Sequence, residues 1–435
     1  MTAASTRQAV DYQSFLAARL AKPSTEGPTV HPGQLHPMLH DWQAQLVCWA
    51  AKTSRAAIWA DTGLGKTVMQ VEWARVTGGT SLIAAPLAVC RQTVCEAAKV
   101  DVTATYVRGP EQVTGPGIYV TNYEMVGRFD PAEIDSFVLD EASILKQSDG
   151  KTRTALIEWA SVVPHRLSCT ATPAPNDPEE LTSQAEFLGR MRRVDMLAAY
   201  FVHDDQGWRL KGHATGPMMR WMATWAVALR KPSDVGGSDA GYDLPGVEVI
   251  SHLLPVNDTP PDQLFATDLG GIGGRAKVRR DTLRARCEQA ASLIDAEPDE
   301  PWLVWAGLND EADLIAKLTG AVNVHGTLTP EQKADALLGF SDGTHARIVT
   351  KPSIASLGLN WQHCARMVFV GLSDSYEQYY QAIRRCYRYG QPRIVHAHVV
   401  LSELESQIAA NIARKERDAA AVTDALVNQM RRNVS

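Results

Sequence analysis

Ala56-Ala57-Ile58-Trp59-Ala60-Asp61-Thr62-Gly63-Leu64-Gly65-Lys66-Thr67 is an apolar run that breaks on two glycines and then resumes with helical spacing. A short apolar stretch closed by turn residues reads as a buried strand. From Ala60 the spacing is that of G-x-x-x-x-G-K-[ST], with Ala60 in place of the first Gly. The physics of such a loop is direct. Gly63 and Gly65 let the backbone bend so that its N–H groups face phosphate oxygens. The following helix presents its positive N-terminal end. Lys66 carries a charge to the β- and γ-phosphates, and the Thr67 hydroxyl is placed to ligate Mg²⁺. Thr62, Gly63, Gly65, Lys66 and Thr67 are therefore the expected phosphate contacts.

Further along, Phe137-Val138-Leu139-Asp140-Glu141 is an apolar strand ending in two carboxylates. Ligands of open α/β sheets bind at the carboxyl ends of the strands. Asp140 is expected to hold the Mg²⁺ shell and Glu141 to polarise an attacking water. Upstream, Gln43 has a donor and an acceptor with which to read an adenine edge; taken alone, such a Gln reads as a surface residue.

Two blocks alternate strand-like and helix-like segments, the pattern of a parallel sheet with crossover helices. Strands are expected at 56–59, 81–84, 117–120, 137–139 and 166–169, and again at 302–305, 321–324, 347–349, 367–370 and 395–399. The expected division is an extension at 1–34, a first lobe at 35–176, a mainly helical stretch at 177–298, a second lobe at 299–401 and a terminal helix at 402–435. Ser402 and Glu405 form a capping box for that helix, which is expected to dock on the second lobe. Tyr12, Phe15, Leu16, Arg19 and Leu20 have helical spacing, as a packing helix or a weak transit helix.

The composition is ordinary for a globular chain: 435 residues, 45% hydrophobic and 21% charged. This length favours two or three domains. A net charge of −6 excludes a general polyanion binder, so nucleic acid must be held by a local basic stripe. The seven cysteines show neither C-x-x-C nor zinc-finger spacing and read as buried free thiols. No stretch approaches a membrane span and no signal peptide opens the chain, so a cytoplasmic setting is expected.

Taken together, these segments resemble superfamily-two DEAD/DEAH-type helicases, most closely the Swi/Snf-like branch and its compact phage-encoded members. Leu39-x-x-Trp42-Gln43 resembles the adenine-reading segment, Ala85-Pro86-Leu87 and Thr121-Asn122-Tyr123-Glu124 the strand-contacting motifs, and Asp140-Glu141-Ala142-Ser143 the D-E-A-H box. Thr170-Ala171-Thr172-Pro173 with Asn176 resembles the coupling motif. In the second block Val324-His325-Gly326, Gly358-Leu359-Asn360 and the long run Gln381-Ala382-Ile383-Arg384-Arg385-Cys386-Tyr387-Arg388-Tyr389-Gly390-Gln391 follow in the family's order. The last resembles Q-A-x-G-R-x-x-R-x-G-Q, with Arg384 for Gly; Ser143 stands for His, and Ala355-Ser356 for a Gly pair.

The resemblance implies two RecA-like lobes, ATP and Mg²⁺ as cofactors, and nucleic acid, most readily DNA, as partner. It implies arginine fingers at Arg385 and Arg388, read as one face of a helix, and nucleotide contacts at Gly358 and Asn360. The expected function is ATP-dependent translocation on, or remodelling of, DNA. The alternatives are the motor subunit of a restriction or defence complex and an ATP-switched DNA-binding scaffold. Thr121, Asn122, Thr350 and Lys351 are candidates for gripping phosphates. The run from Arg275 to Arg286 is either a duplex contact or a solvated helix face. Trp221 and Trp225 read as core packing or base stacking.

Overall fold

The computed structural model describes residues 27–146, 150–204, 207–255, 279–354, 360–373 and 375–434. Gly358, Ala355, Ser356, Arg275, Lys277 and the expected helix around Tyr12 lie outside the described residues. The chain divides into two units, 1–239 with 418–435 and 240–417.

In the first unit the strands are β1 (Arg55–Ala60), β2 (Thr80–Ala85), β3 (Ala104–Tyr106), β4 (Gly117–Asn122), β5 (Ser136–Leu139), β6 (His165–Cys169), the hairpin β7 (Phe201–Asp204) and β8 (Gly207–Leu210), and β9 (Ala226–Leu229). Seven form one parallel sheet in the order β3-β4-β2-β5-β6-β1-β9. Its central strands are buried almost end to end, which is why they read as unbroken apolar runs instead of alternating ones. Parallel neighbours need crossovers, and the helices Lys66–Thr77, Leu87–Ala98 and Lys151–Ala160 supply them.

The second unit has β10 (Val247–Leu254), β11 (Trp302–Ala306), β12 (Val322–Val324), β13 (Arg347–Thr350), β14 (Arg366–Val370) and β15 (Val395–Ser402). They pair in parallel as β10-β15-β14-β11-β13-β12. The expected class, two parallel-sheet α/β bodies, is the one observed.

Three sheet strands lie outside the expected set. β3 has only three residues. β9 and β10 come from the stretch between the two blocks and complete an edge of each sheet. Composition therefore changes at 177 and 299, whereas the chain's contacts divide at 239/240. Edge strands are specified by the neighbour they pair with, and β10, half solvated along its length, lacks the apolar run of a central strand.

Trp221 and Trp225 are core residues: Trp225 is buried, its ring centroid 5.9 Å from Trp59 and 5.3 Å from Trp221, both edge-on. The C-terminal helix Ser406–Val434 departs from expectation in its second half: its residues up to 417 belong to the second unit, as expected, and those from 418 to the first. Val422 and Leu426 lie in the core of the first unit. Their four-residue spacing makes a narrow apolar stripe, and the Arg230–Asp424 ion pair at 2.6 Å and the Arg230 bond to the Ala420 carbonyl at 2.8 Å secure that segment.

The described part of the basic run is not a wholly solvated face. Arg286 is fully buried, donating to Glu311 at 2.9 Å and to the Val370 carbonyl at 3.1 Å. Arg279 donates to both Glu311 oxygens at 3.1 and 3.3 Å, and the N–H groups of Gly307 and Leu308 add bonds of 2.9 Å each. Arg280 and Arg284, the latter paired with Glu288 along the helix, are exposed. Burial pushes the Glu311 carboxyl up, but Arg279 and Arg286 outweigh it and hold the group below its ordinary range. The stability Glu311 contributes is thus present above the usual carboxylate range and is lost as pH falls through its lowered value. Glu311→Ala leaves two guanidinium groups without their counter-charge. It is expected to cost about 3–5 kcal/mol in chemical denaturation followed through the second unit's tryptophans.

Candidate active site

β1 ends at Ala60 and the chain turns through Asp61 to Gly65 before entering the helix at Lys66. Gly63 and Gly65 have φ of 86° and 75°, the left-handed region that the bend requires and that side chains avoid. The Thr62 N–H bonds the Asp61 carboxylate at 2.6 Å. The Lys66 ammonium donates to the carbonyls of Ala60 at 2.8 Å and Asp61 at 3.2 Å, with no carboxylate paired to it among the described residues. A cation folded back on its own loop, over a glycine bend at a helix N-terminus, fits a polyphosphate.

Gln43 is buried against this loop instead of lying on the surface. Its amide donates to the Leu64 carbonyl at 3.0 Å and accepts from the His40 N–H at 2.9 Å. A Cβ on Gly65 would press on the Gln43 side-chain amide, but it is the φ of 75° that demands glycine there.

β6 lies between β1 and β5. Two strand spacings therefore separate the phosphate loop from the carboxylates, about 9–10 Å. Asp140 is buried, and its Oδ1 accepts from the Gln70 Nε2 at 2.6 Å. Burial, and then the neighbouring Glu141 charge, raise the Asp140 carboxyl to about 6, against the opposing pull of Gln70 and Lys66. A divalent cation would relieve both penalties, so Asp140 fits the metal role, with Thr67 at the start of the facing helix. Glu141 is half-buried and sits at φ 45°, a strained value for a residue with a side chain. Its carbonyl accepts from the Ile144 N–H at 3.1 Å, and the Tyr123 hydroxyl donates to the Asp140 carbonyl at 2.6 Å.

Sequence reasoning passed over Gln70, Tyr123, Gln184 and Glu180. Gln70 falls four residues after Lys66 and is a buried polar residue on the helix's inner side, the one signal available beforehand. Gln184 accepts from Ser168 at 2.6 Å and donates to the Ala142 carbonyl at 2.8 Å, tying β6 to the segment after the carboxylates. Glu180 binds the N–H and side-chain amide of Asn176 at 3.0 and 2.9 Å and so closes the turn after Thr170 and Thr172. Thr121 and Thr350 are not free to grip a phosphate: both are buried, and their hydroxyls donate to the Val107 and Val324 carbonyls at 2.9 and 3.2 Å.

In the second unit the helix Tyr376–Ile383 ends before the arginines. Arg385 and Arg388 therefore lie in the turns that follow and do not share a helix face. The Arg385 carbonyl accepts from the Trp361 N–H at 3.0 Å, which takes it out of any helical ladder. Gln391 then draws in the Cys364 and Cys386 carbonyls at 3.0 and 3.2 Å. This stitching brings Asn360, adjacent to Trp361, beside the arginine segment; Asn360 is exposed and bonds Gln362 at 2.9 Å. Arg384 has a structural reason to differ from glycine, its guanidinium lying 5.1 and 4.9 Å from the Tyr380 and Tyr387 ring centroids.

Residues 286–390 match the family described as the helicase conserved C-terminal domain. The matched span lies within the second unit. The matched span includes Arg385, Arg388 and the buried Arg286–Glu311 pair. No curated protein matches the chain. Among solved structures it is similar to the Sulfolobus solfataricus SWI2/SNF2 ATPase core in complex with dsDNA, at 16% identity and a TM-score of 0.44, over 92% of this chain and 98% of that one. Among the described residues no helix is long and apolar enough to cross a membrane.

The Asp140 shift has a measurable sign. A carboxyl raised in the fold stabilises it at acid pH, and that contribution is lost as pH rises from the ordinary carboxylate range to about 6. At neutral pH the ionised group thus opposes folding of the metal-free protein. Asp140→Asn is expected to raise the metal-free melting temperature at pH 7 by at least about 2 °C, and to leave it unchanged near pH 4, in scanning calorimetry.

Proposed function

We propose that the chain is an ATP-dependent motor on DNA, a superfamily-two protein of the Swi/Snf-like kind. The observation that carries the reading is the pairing of a helicase C-terminal domain at 286–390 with a phosphate loop and a buried carboxylate joined through Gln70 on the other unit. Neither half alone would do so, since phosphate loops serve many ATPases.

In this reading Thr62, Gly63, Gly65, Lys66 and Thr67 hold the triphosphate, and Gln43 holds the loop's shape while facing the base. Thr67 and Asp140 hold Mg²⁺, which supplies charge neutralisation at the phosphates. Glu141 accepts the proton of the attacking water. Asp140 is buried and bonded to Gln70 whereas Glu141 is half-buried, so the two acids stand in different environments and take separate roles. Arg385 and Arg388 supply positive charge where it is needed only during hydrolysis. Gln391 holds the turn that carries them, so it is a positioning residue.

Phosphate release measured with single-stranded DNA, duplex DNA and RNA, beside a strand-displacement assay, tests this. Lys66→Ala is expected to abolish turnover. Arg388→Ala is expected to lower kcat about 10³-fold with little change in nucleotide affinity. Glu141→Gln is expected to lose about 10²–10⁴ in kcat and keep nucleotide binding. Hydrolysis indifferent to Lys66→Ala, or to every nucleic acid, would sink the reading.

A further inference from the structure

β1 and β6 open on arginines in register. Arg55 and Arg166 are direct cross-strand partners, so two like charges stand side by side at the amino edge of the first sheet. Arg190 joins them from just past the helix Leu181–Phe187, its guanidinium donating to the carbonyls of Thr53, at 3.2 Å, and of Arg55. Arg166 is buried and donates to the carbonyls of Ser161, Val163 and Phe187 at 3.1, 3.1 and 2.5 Å. Arg55 is half-buried and spends only its Nε, on the Pro164 carbonyl at 3.0 Å. Among the described residues no carboxylate pairs with any of the three.

The carbonyls do not balance this charge. They lie at or just past the ends of the helices Asp41–Thr53, Lys151–Ala160 and Leu181–Phe187. A helix C-terminus carries about half a negative charge, so three of them leave about half of the positive charge uncompensated. Burial, and then the other two guanidinium groups, lower Arg166 to about 9; burial, and then Arg55, lower Arg190 to about 10. The second unit's Arg279 and Arg286, by contrast, close on Glu311.

The unbalanced charge reaches solvent at one point. Gly189 is exposed, with φ 64°. A Cβ there would lie 2.9 Å from the Arg55 Nη1 and 3.3 Å from the Arg166 Nη2, so two guanidinium groups flank a spot that holds no side chain. Both terminal nitrogens of Arg55 and the Nη1 of Arg190 have no protein acceptor among the described residues.

We propose that Arg55, Arg166 and Arg190 form a binding site for one phosphate group, seated over Gly189. The site is separate from the phosphate loop: Arg55 begins β1 and Ala60 ends it, about 16 Å away along the strand. Guanidinium groups match phosphate oxygens in charge and in the fork of their donors. A free phosphate and a nucleic-acid backbone present the same oxygens, and the experiment separates them.

Melting temperatures in about 10 mM phosphate and in chloride of equal ionic strength test the site. They are read in Lys66→Ala protein, so that the phosphate loop does not answer for it. Phosphate is expected to raise the midpoint by at least about 2 °C over chloride. Adding Arg55→Gln, which keeps an amide for the Pro164 carbonyl, is expected to cut that gain to below about 1 °C. Gly189→Asp places a carboxylate at the same spot. It is expected to abolish the gain and, in chloride, to melt above Gly189→Asn, which bears the same backbone strain without the charge. No gain over chloride, or a gain kept in full by Arg55→Gln or by Gly189→Asp, overturns the site. Where the gain is lost, anisotropy of a labelled duplex names the source. A loss of about threefold or more in Arg55→Gln assigns the phosphate to the nucleic-acid backbone, and an unchanged affinity assigns it to a free phosphate. None of these readouts uses ATP turnover, so failure of the site leaves the motor reading standing.

Discussion

A carboxylate withdrawn from water has to be compensated by the protein around it, and Asp140 is the group on which the first unit turns. Its compensation comes from the Gln70 amide on the helix that begins at Lys66, and from the Lys66 charge itself. That one hydrogen bond ties the phosphate loop's helix to the strand bearing the acids, with β6 lying between their strands. It does not fully offset the penalty, because the carboxyl still sits near 6. A site left under-compensated in this way gains most when a cation arrives, which is the usual relation between an active site's chemistry and its cost in stability.

The second unit handles buried charge in the opposite manner. Glu311 receives two guanidinium groups and two backbone N–H groups, and its carboxyl is held low. The cluster closes the end of the sheet beside β11 and β14, where Gly307 and Gly371 leave room for the guanidinium groups; a Cβ at either would strike them. Arginine in this chain therefore does three kinds of work. It braces a strand edge at Arg286, stacks between tyrosines at Arg384, and is left half-buried in turns at Arg385 and Arg388. Spacing along the chain cannot separate these roles, because each depends on which carboxylate or ring the fold brings near.

The central strands were legible because burial on both faces demands continuous apolar runs, as in Ala57-Ile58-Trp59 and Phe137-Val138-Leu139. β10 was not, since its half-solvated residues lack such a run; β9, the buried apolar run Ala226–Leu229, was passed over although it meets the same criterion. The helix expected to carry Arg385 and Arg388 stops at Ile383, because the Arg385 carbonyl bonds Trp361 and Gln391 gathers the carbonyls of Cys364 and Cys386. Those partners lie 24 and 27 residues away from the groups they meet, at Trp361 and Cys364. Helical periodicity has no term for such distant competition. The C-terminal helix was readable as amphipathic, yet its stripe did not say which core it would enter.

The sequence by itself determined the local chemistry: a glycine bend before Lys66-Thr67, two acids closing an apolar strand, and a run of arginines framed by glutamines. These follow from φ preference, apolar patterning and charge, which are properties of neighbours along the chain. Only the tertiary structure decided that Gln43 is bonded to the glycine bend at Leu64 and Gln70 to Asp140, that Thr121 and Thr350 are spent on neighbouring carbonyls, and that Trp208 is left at the surface while Trp225 is buried. The physical reason is that a polar or aromatic side chain has no fixed fate. Its role is set by the donor, acceptor or solvent that folding places within reach, and that is decided across the sheets and not along the strand.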